Sequence, residues 1–389
     1  MKIIKIPGSK SLTNRALIIG SIAGGISTIE NFSKCDDSMV LIKALQKLGV
    51  KITVFGNKLT VVGNGGKFKH FKGILDVKEA GTALRFLTAL THFVPGKVTF
   101  KGSKRLMERP IKDLKRSLAG LGTGKITIKG DISSQFISAI LMVSPLVRKG
   151  LTIKVAGDLV SKSYVDMTID IMKKFGVKVK NDHYKKLVVG KNQSYEAIDY
   201  LVESDASGAS YFWAIAAVTG KAIRVTNVDP VSSQGDVKFP DLLEKMGCLV
   251  RKNIEKKWIE VKGPRQLQGI RADMSLMPDT AQTLAVVAAF SKGVTVITGL
   301  GTLKVKETDR LAALKNELGK IGIKSSVTTD SIMVMGGCPK KAVVETYGDH
   351  RMAMAFAVAN AKVPGLEIKN SSVVSKSFPE FWTQFRQVL

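Results

Sequence analysis

The chain repeats one unit six times. Each unit has a polar or charged lead-in, an apolar helix, a turn rich in glycine or lysine, and a β-branched strand. The helical stretches with their lead-ins fall at residues 11–20, 81–90, 133–142, 205–214, 278–287 and 349–358. The strands that follow fall at 25–30, 96–100, 150–155, 220–225, 293–297 and 365–368. Consecutive units start roughly 70 residues apart, too long for a solenoid period, except that the second and third are only about 50 apart. Further helices and strands lie between them, such as 39–48 with 51–55 and 166–175 with 178–180. Helix interiors such as 285–290 are apolar almost all round and must be buried. The alternating strands must then cover them. This is an α/β chain with helices inside and sheets outside, the reverse of a TIM barrel.

A chain of 389 residues that is 44% hydrophobic can fill two or three domains. No apolar run approaches the ~18–20 residues that span a bilayer. The longest, 83–94, is interrupted by Arg85 and His92. The sequence opens on a strand, without a signal-peptide layout, so cytoplasmic placement is the simplest expectation. Cys35, Cys248 and Cys338 are far apart and suggest neither a zinc site nor a disulfide framework. The net charge of +28 predicts anionic partners. Nucleic-acid binders cluster their cations and interleave aromatics. Here lysines are scattered, aromatics are 6%, and no helix-turn-helix, zinc-finger or RNP pattern occurs. Small anions are therefore the expected partners, with no nucleic acid and no membrane.

The lead-ins hold most of the chemistry. Lys10, Ser11 and Arg15 sit at a strand-to-helix junction, where free N–H groups and the helix dipole favour an anion. A plain capped helix fits that stretch equally well. Lys306, Glu307 and Arg310 cluster at an expected strand-to-helix transition, although taken alone they read as surface ion pairs. His350 and Arg351 lead the sixth helix, and Asp279 leads the fifth, where it could simply be an N-cap. Residues 104–110 form a further basic group containing Arg105, with Arg109 before a proline and able merely to fix a loop. Lys376 could be a solvated lysine. Together these groups suit binding of multiply anionic small molecules and proton movement between them. No P-loop, GxGxxG or metal-ligand cluster is present, so no nucleotide, NAD or metal is implied.

The motifs at 7–11, 80–85, 105–111, 133–136, 205–212, 305–310, 349–354 and 376–379 resemble those of the EPSP synthases (3-phosphoshikimate 1-carboxyvinyltransferases) of the enolpyruvyl transferase family, nearly end to end. The resemblance implies a two-lobed inside-out α/β barrel, each lobe of three βαβαββ units. It implies one lobe at 10–203 and a discontinuous second lobe of 1–9 plus 204–389, with hinges near 9 and 203 and an active site in the cleft between them. The implied reaction joins phosphoenolpyruvate to shikimate 3-phosphate, releases phosphate, and leads to chorismate and the aromatic amino acids, with no cofactor. Carried over by motif, Lys10, Ser11, Arg15, Ser133, Ser134, Gln135, Ser161, Tyr164, Asp279 and Lys306 would hold shikimate 3-phosphate. Lys10, Gly81, Arg105, Gln135, Arg310, Arg351 and Lys376 would hold phosphoenolpyruvate. Asp279 would take the hydroxyl proton, Glu307 would exchange a proton with the methylene, and Lys10 and His350 would assist. A monomer is expected.

Three positions depart from the family pattern. Glu79 stands where an asparagine is usual, and Thr302 where an asparagine often touches the phosphorylated substrate. The segment 118–133 is short, as if one unit had lost a strand or a helix turn. The enzyme rival is the UDP-N-acetylglucosamine enolpyruvyl transferase, which uses a loop cysteine that is not evident here. An inactive relative acting as a basic small-anion or nucleic-acid binding module is the rival of another class.

Overall fold

The structure, a computed structural model, describes residues 1–389. Two compact units divide the chain: 8–202, and 1–7 together with 203–389. No helix is long and apolar enough to cross a membrane.

Each unit is built round three buried helices. In the first they are Lys10–Ile22, Gly81–Leu90 and Ser134–Val143; in the second, Ala206–Thr219, Ala281–Ala288 and His350–Asn360. Every residue from Leu12 to Ile22 is buried, as is every residue from Ala206 to Val218. Their sequences leave no charged face for water, so burial on all sides is the stable solution. The intervening helices Asp36–Lys47, Lys162–Lys174 and Arg310–Lys320 bury one stripe and keep most of their charged residues outside, with Asp37, Arg310 and Glu317 as buried exceptions. Phe86, Phe136 and Phe175 fill the first core; Trp213, Phe212 and Phe356 fill the second.

The sheets follow from the helices. A parallel strand pair needs a crossover, usually a helix. Lys125–Lys129 and Leu151–Ala156 run parallel across Ser134–Val143, and Arg271–Asp273 and Val294–Thr298 run parallel across the turn and helix at 278–288. An antiparallel hairpin then extends each of these sheets to four strands: Val179–Asp182 with Lys186–Val189, and Ser325–Val327 with Ile332–Met335. The expected strand at 178–180 is thus Val179–Asp182, and the expected helix at 39–48 is Asp36–Lys47.

The first repeat of each unit takes its parallel edge strand from a segment remote in the sequence. Lys2–Lys5 pairs with Ala222–Thr226, and Asp199–Leu201 pairs with Gly24–Glu30. Two repeats lack the hairpin. In one, Phe71–Asp76 pairs with Gly96–Lys101 across Gly81–Leu90 and no further strand joins them. The chain instead turns through Lys104–Glu108 and Lys112–Leu118 directly into Lys125–Lys129. The missing piece behind the short spacing is therefore a whole two-stranded hairpin, larger than a strand or a helix turn. The last repeat, Val343–Val344 with Glu367–Ile368, is likewise two-stranded.

Candidate active site

In the unit 203–389 the lead-ins of the fifth and sixth buried helices meet that of Arg310–Lys320. Asp279 lies in the short turn Pro278–Thr280 ahead of its helix and makes no side-chain cap there. Its carboxylate instead accepts from Arg351 Nη2 at 2.7 Å and Arg310 Nη1 at 3.3 Å. Arg351 Nη1 also donates to the Asp279 carbonyl at 3.0 Å, and Lys306 Nζ is 3.6 Å from the carboxylate. The N-cap alternative for Asp279 is thereby excluded.

Arg310 is the hub. It is 1% exposed, donates to Glu307 at 3.0 Å, and donates to both oxygens of Asp349 at 2.7 and 3.3 Å. Desolvation of this guanidinium opposes its charge, but the three carboxylates outweigh it and push its pKa still higher. Asp349 is fully buried and also caps the sixth helix, accepting from Arg351 N at 2.9 Å. Lys306 and Glu307 follow the turn Gly301–Val305, so the expected strand ahead of them is absent. His350 is buried with Nδ1 3.7 Å from Asp349, and Lys376 is buried at the end of the turn Ser371–Lys376.

A further carboxyl sits in this unit. Asp236 is buried, accepts from Ser207 Oγ, and is pushed up to about 7, first by burial and then by the nearby charge of Asp279. Thr302 has a buried hydroxyl without a hydrogen-bond partner.

In the unit 8–202, Lys10 opens the first buried helix and pairs with Asp37 at 3.0 Å. Arg15, one turn on, is buried and heavily engaged. It donates to Thr168 Oγ1 at 2.8 Å, Ser11 O at 2.9 Å, Tyr164 O at 3.0 Å and Ser138 Oγ at 3.3 Å. Its guanidinium also lies over the Phe86 ring at 5.4 Å, and burial lowers its pKa to about 10. Arg15, Ser11 and Tyr164 are thus brought together, with four of the five guanidinium hydrogens engaged.

Ser133 caps the third buried helix through Gln135 N, Ser134 is buried, and Gln135 Nε2 reaches Thr82 Oγ1 at 3.4 Å. Ser161 holds left-handed backbone (φ 53°) at the start of Lys162–Lys174. Gly81 opens the second buried helix, where Arg85 Nη1 donates to its carbonyl at 3.1 Å. A Cβ on Gly81 would stand 2.6 Å from Arg109 Nη1 and 3.2 Å from Arg85 Nη1, so this close approach of guanidinium to backbone needs glycine. Arg105 is exposed on Lys104–Glu108, and Glu79 is exposed on the turn ahead of Gly81.

Sequence reasoning missed the partners of these groups. Asp37 holds Lys10; Ser138 and Thr168 hold Arg15; Asp349 joins Arg310 to the sixth helix. Asp349 stood beside His350 in plain view, but nothing in the spacing reveals a partner 39 residues away. Arg109, which could merely fix a loop, lies against Gly81.

Comparison with known proteins places this arrangement. The sequence matches the family described as EPSP synthase (3-phosphoshikimate 1-carboxyvinyltransferase) over residues 1–124 and 122–385. The 3-phosphoshikimate 1-carboxyvinyltransferase of a Marinomonas species is 41% identical over 411 residues, covering 99% of this chain and 96% of that protein. That of a Nostoc species is 38% identical over 410 residues, with the same coverage. Among solved structures, EPSP synthase from Acinetobacter baumannii superposes with a TM-score of 0.82 at 24% identity, covering 99% of this chain and 95% of that one. The enolpyruvyl transferase NikO from Streptomyces tendae gives 0.77 at 16% identity, covering 100% and 94%. These two likenesses establish the fold, and the sequence relatives carry the rest: the chain belongs to the EPSP synthase family.

Proposed function

We propose that this chain transfers the enolpyruvyl group of phosphoenolpyruvate to the 5-hydroxyl of shikimate 3-phosphate. The products are 5-enolpyruvylshikimate 3-phosphate and phosphate, on the route to chorismate. The observation that carries the reading is the Asp279 carboxylate held by Arg310 and Arg351, with Lys306 and Glu307 beside it, on the motif positions of a family whose relatives bear this activity's name.

The chemistry divides among these groups. Asp279 accepts the proton of the attacking hydroxyl as its oxygen bonds to C2 of phosphoenolpyruvate. Glu307 delivers a proton to the methylene carbon and takes one back as the phosphate leaves, while the proton held by Asp279 passes to the departing phosphate, so the enzyme ends as it began. Lys10 and His350 steady the charge that builds and moves. Lys10, Gly81, Arg105, Gln135, Arg310, Arg351 and Lys376 hold phosphoenolpyruvate. Lys10, Ser11, Arg15, Ser133, Ser134, Gln135, Ser161, Tyr164, Asp279 and Lys306 hold the phosphorylated ring. The scheme needs no metal or organic cofactor, and we assign the enzyme to the cytoplasm as a monomer.

The resting ion pairs give this scheme a trigger. Asp279, Glu307 and Asp349 balance Lys306, Arg310 and Arg351, three charges against three. An incoming carboxylate or phosphate must compete with Asp279 for Arg351. Each donor it draws away leaves Asp279 a stronger base at the moment the base is needed.

The test is phosphate release from phosphoenolpyruvate, with and without shikimate 3-phosphate. Release that depends on the second substrate is expected, and its absence sinks the reading. Asp279→Ala is expected to lower kcat by about 10²–10⁴ with the fold intact; unchanged turnover refutes its role.

A further inference from the structure

The helix Arg310–Lys320 grips the turn ahead of His350 at two points. Arg310 holds Asp349, as described. Seven residues on, and so on the same helical face, Glu317 holds the other end of that turn. Glu317 is fully buried. One of its oxygens accepts from the Tyr347 hydroxyl at 2.7 Å and faces Lys320 Nζ at 2.9 Å; the other accepts from Glu345 N at 3.0 Å.

The turn needs such support. Asp349 N donates to Thr346 O at 2.8 Å, and the two central residues, Tyr347 (φ 55°) and Gly348 (φ 67°), are both left-handed. Such a turn favours Asn-Gly at its centre. A bulky tyrosine in that region costs about 1–2 kcal/mol. Glu317 offsets this through the phenol and the backbone amide two residues before it, both at once. Tyr347 is 43% exposed, so its ring contributes little burial to fix it. The hydrogen bond holds the ring in place.

We propose that Glu317, acting through Tyr347, is a positioning residue that sets where Asp349, His350 and Arg351 are presented. This rests on the reading of Arg351 as a phosphoenolpyruvate anchor. Neither Glu317 nor Tyr347 touches substrate in that reading. Their effect reaches the reaction through two residues of chain and the Arg310–Asp349 pair.

The experiment pairs kinetics with a readout that needs no turnover. Tyr347→Phe removes one hydroxyl and keeps the ring; Glu317→Gln keeps the shape of the side chain. The chain has four histidines, so selectively labelled imidazole signals are few, and that of His350 is assigned by its loss in His350→Gln. Tyr347→Phe is expected to shift the His350 signal while the other three stay put. It should raise KM for phosphoenolpyruvate about tenfold and lower kcat by less than that, with KM for shikimate 3-phosphate within about twofold. Glu317→Gln should do the same more strongly. If Glu317→Gln does not fold, Tyr347→Phe alone decides. An unmoved His350 signal with unchanged KM overturns the proposal. So does a loss spread equally over KM for both substrates and kcat. If the wild-type enzyme releases no phosphate, the functional reading fails, and the His350 signal still tests the positioning role.

Discussion

Arg310 donates to both oxygens of Asp349, from Nε at 2.7 Å and Nη2 at 3.3 Å, with both side chains almost wholly removed from water. Breaking a buried pair by removing one partner is far more costly than the pair is worth, because a bare charge is left inside. Asp349→Asn keeps the size of the side chain and an oxygen to cap the helix, but strips the charge from Arg310's main partner. The expected loss is about 3–5 kcal/mol of stability, read by denaturant unfolding. A loss below about 1 kcal/mol would show that Asp279 and Glu307 suffice to hold Arg310.

Arg15 gives a contrasting case, a cation held by neutral oxygens. Arg15→Lys keeps the charge but cannot reproduce four directed bonds from a planar fork. We expect about 2–4 kcal/mol of lost stability, together with a higher KM for shikimate 3-phosphate. If only KM rises, Arg15 serves the ligand alone and the four bonds contribute nothing to the fold.

Much of this was legible in the chain. The six lead-ins announced themselves because a helix buried on all sides must be apolar throughout, so any charge ahead of it stands out. That pattern, with the alternating strands, pointed to helices inside and sheets outside. What could not be read was pairing. Asp37 and Thr168 look like ordinary surface residues of amphipathic helices, and only packing brings them to Lys10 and Arg15. The lost hairpin left a trace in the spacing, but spacing counts residues and does not say which element they formed. Thr302 shows the same limit: its sequence position flagged a departure, while its unpartnered buried hydroxyl emerged only in three dimensions.

Gly81→Ala tests a contact that glycine alone permits. The added methyl would meet the far end of the Arg109 side chain, which can swing away, so stability should change by less than about 1 kcal/mol. The displaced guanidinium should raise KM for phosphoenolpyruvate about tenfold. Steady-state kinetics on the variant decide it, and an unchanged KM would remove Gly81 and Arg109 from that substrate's surroundings.

Asp236 makes a pH prediction. Its carboxyl is raised to about 7 in the folded protein by burial and by Asp279, above its ordinary value of 3.8. Between those two values the folded state binds more protons than the unfolded one, so stability falls as pH rises through the window. Below it both states are protonated, and above it the full penalty applies. Asp236→Asn removes the titration. Its stability relative to wild type should therefore improve by about 2 kcal/mol between pH 5 and pH 8. Parallel stability curves for the two proteins across that range would refute the assignment.

The pairing of the first strand with a strand of the second half of the chain has a consequence for the order of events during synthesis. Lys2–Lys5 is made early, yet its partner Ala222–Thr226 lies about 220 residues later. At about 5–20 residues per second, the strand waits some tens of seconds with a bare hydrogen-bonding edge beside a growing chain. Its sequence suits that wait: Lys2 and Lys5 flank the two isoleucines, and charged lysines on an open edge discourage pairing with the wrong strand. The first unit can meanwhile close its own sheet as soon as Asp199–Leu201 is made. One unit therefore completes while this short segment still waits, and once Ala222–Thr226 is made the segment can pair before Leu249–Asn253 and Trp258–Lys262, the other two strands of its sheet, exist.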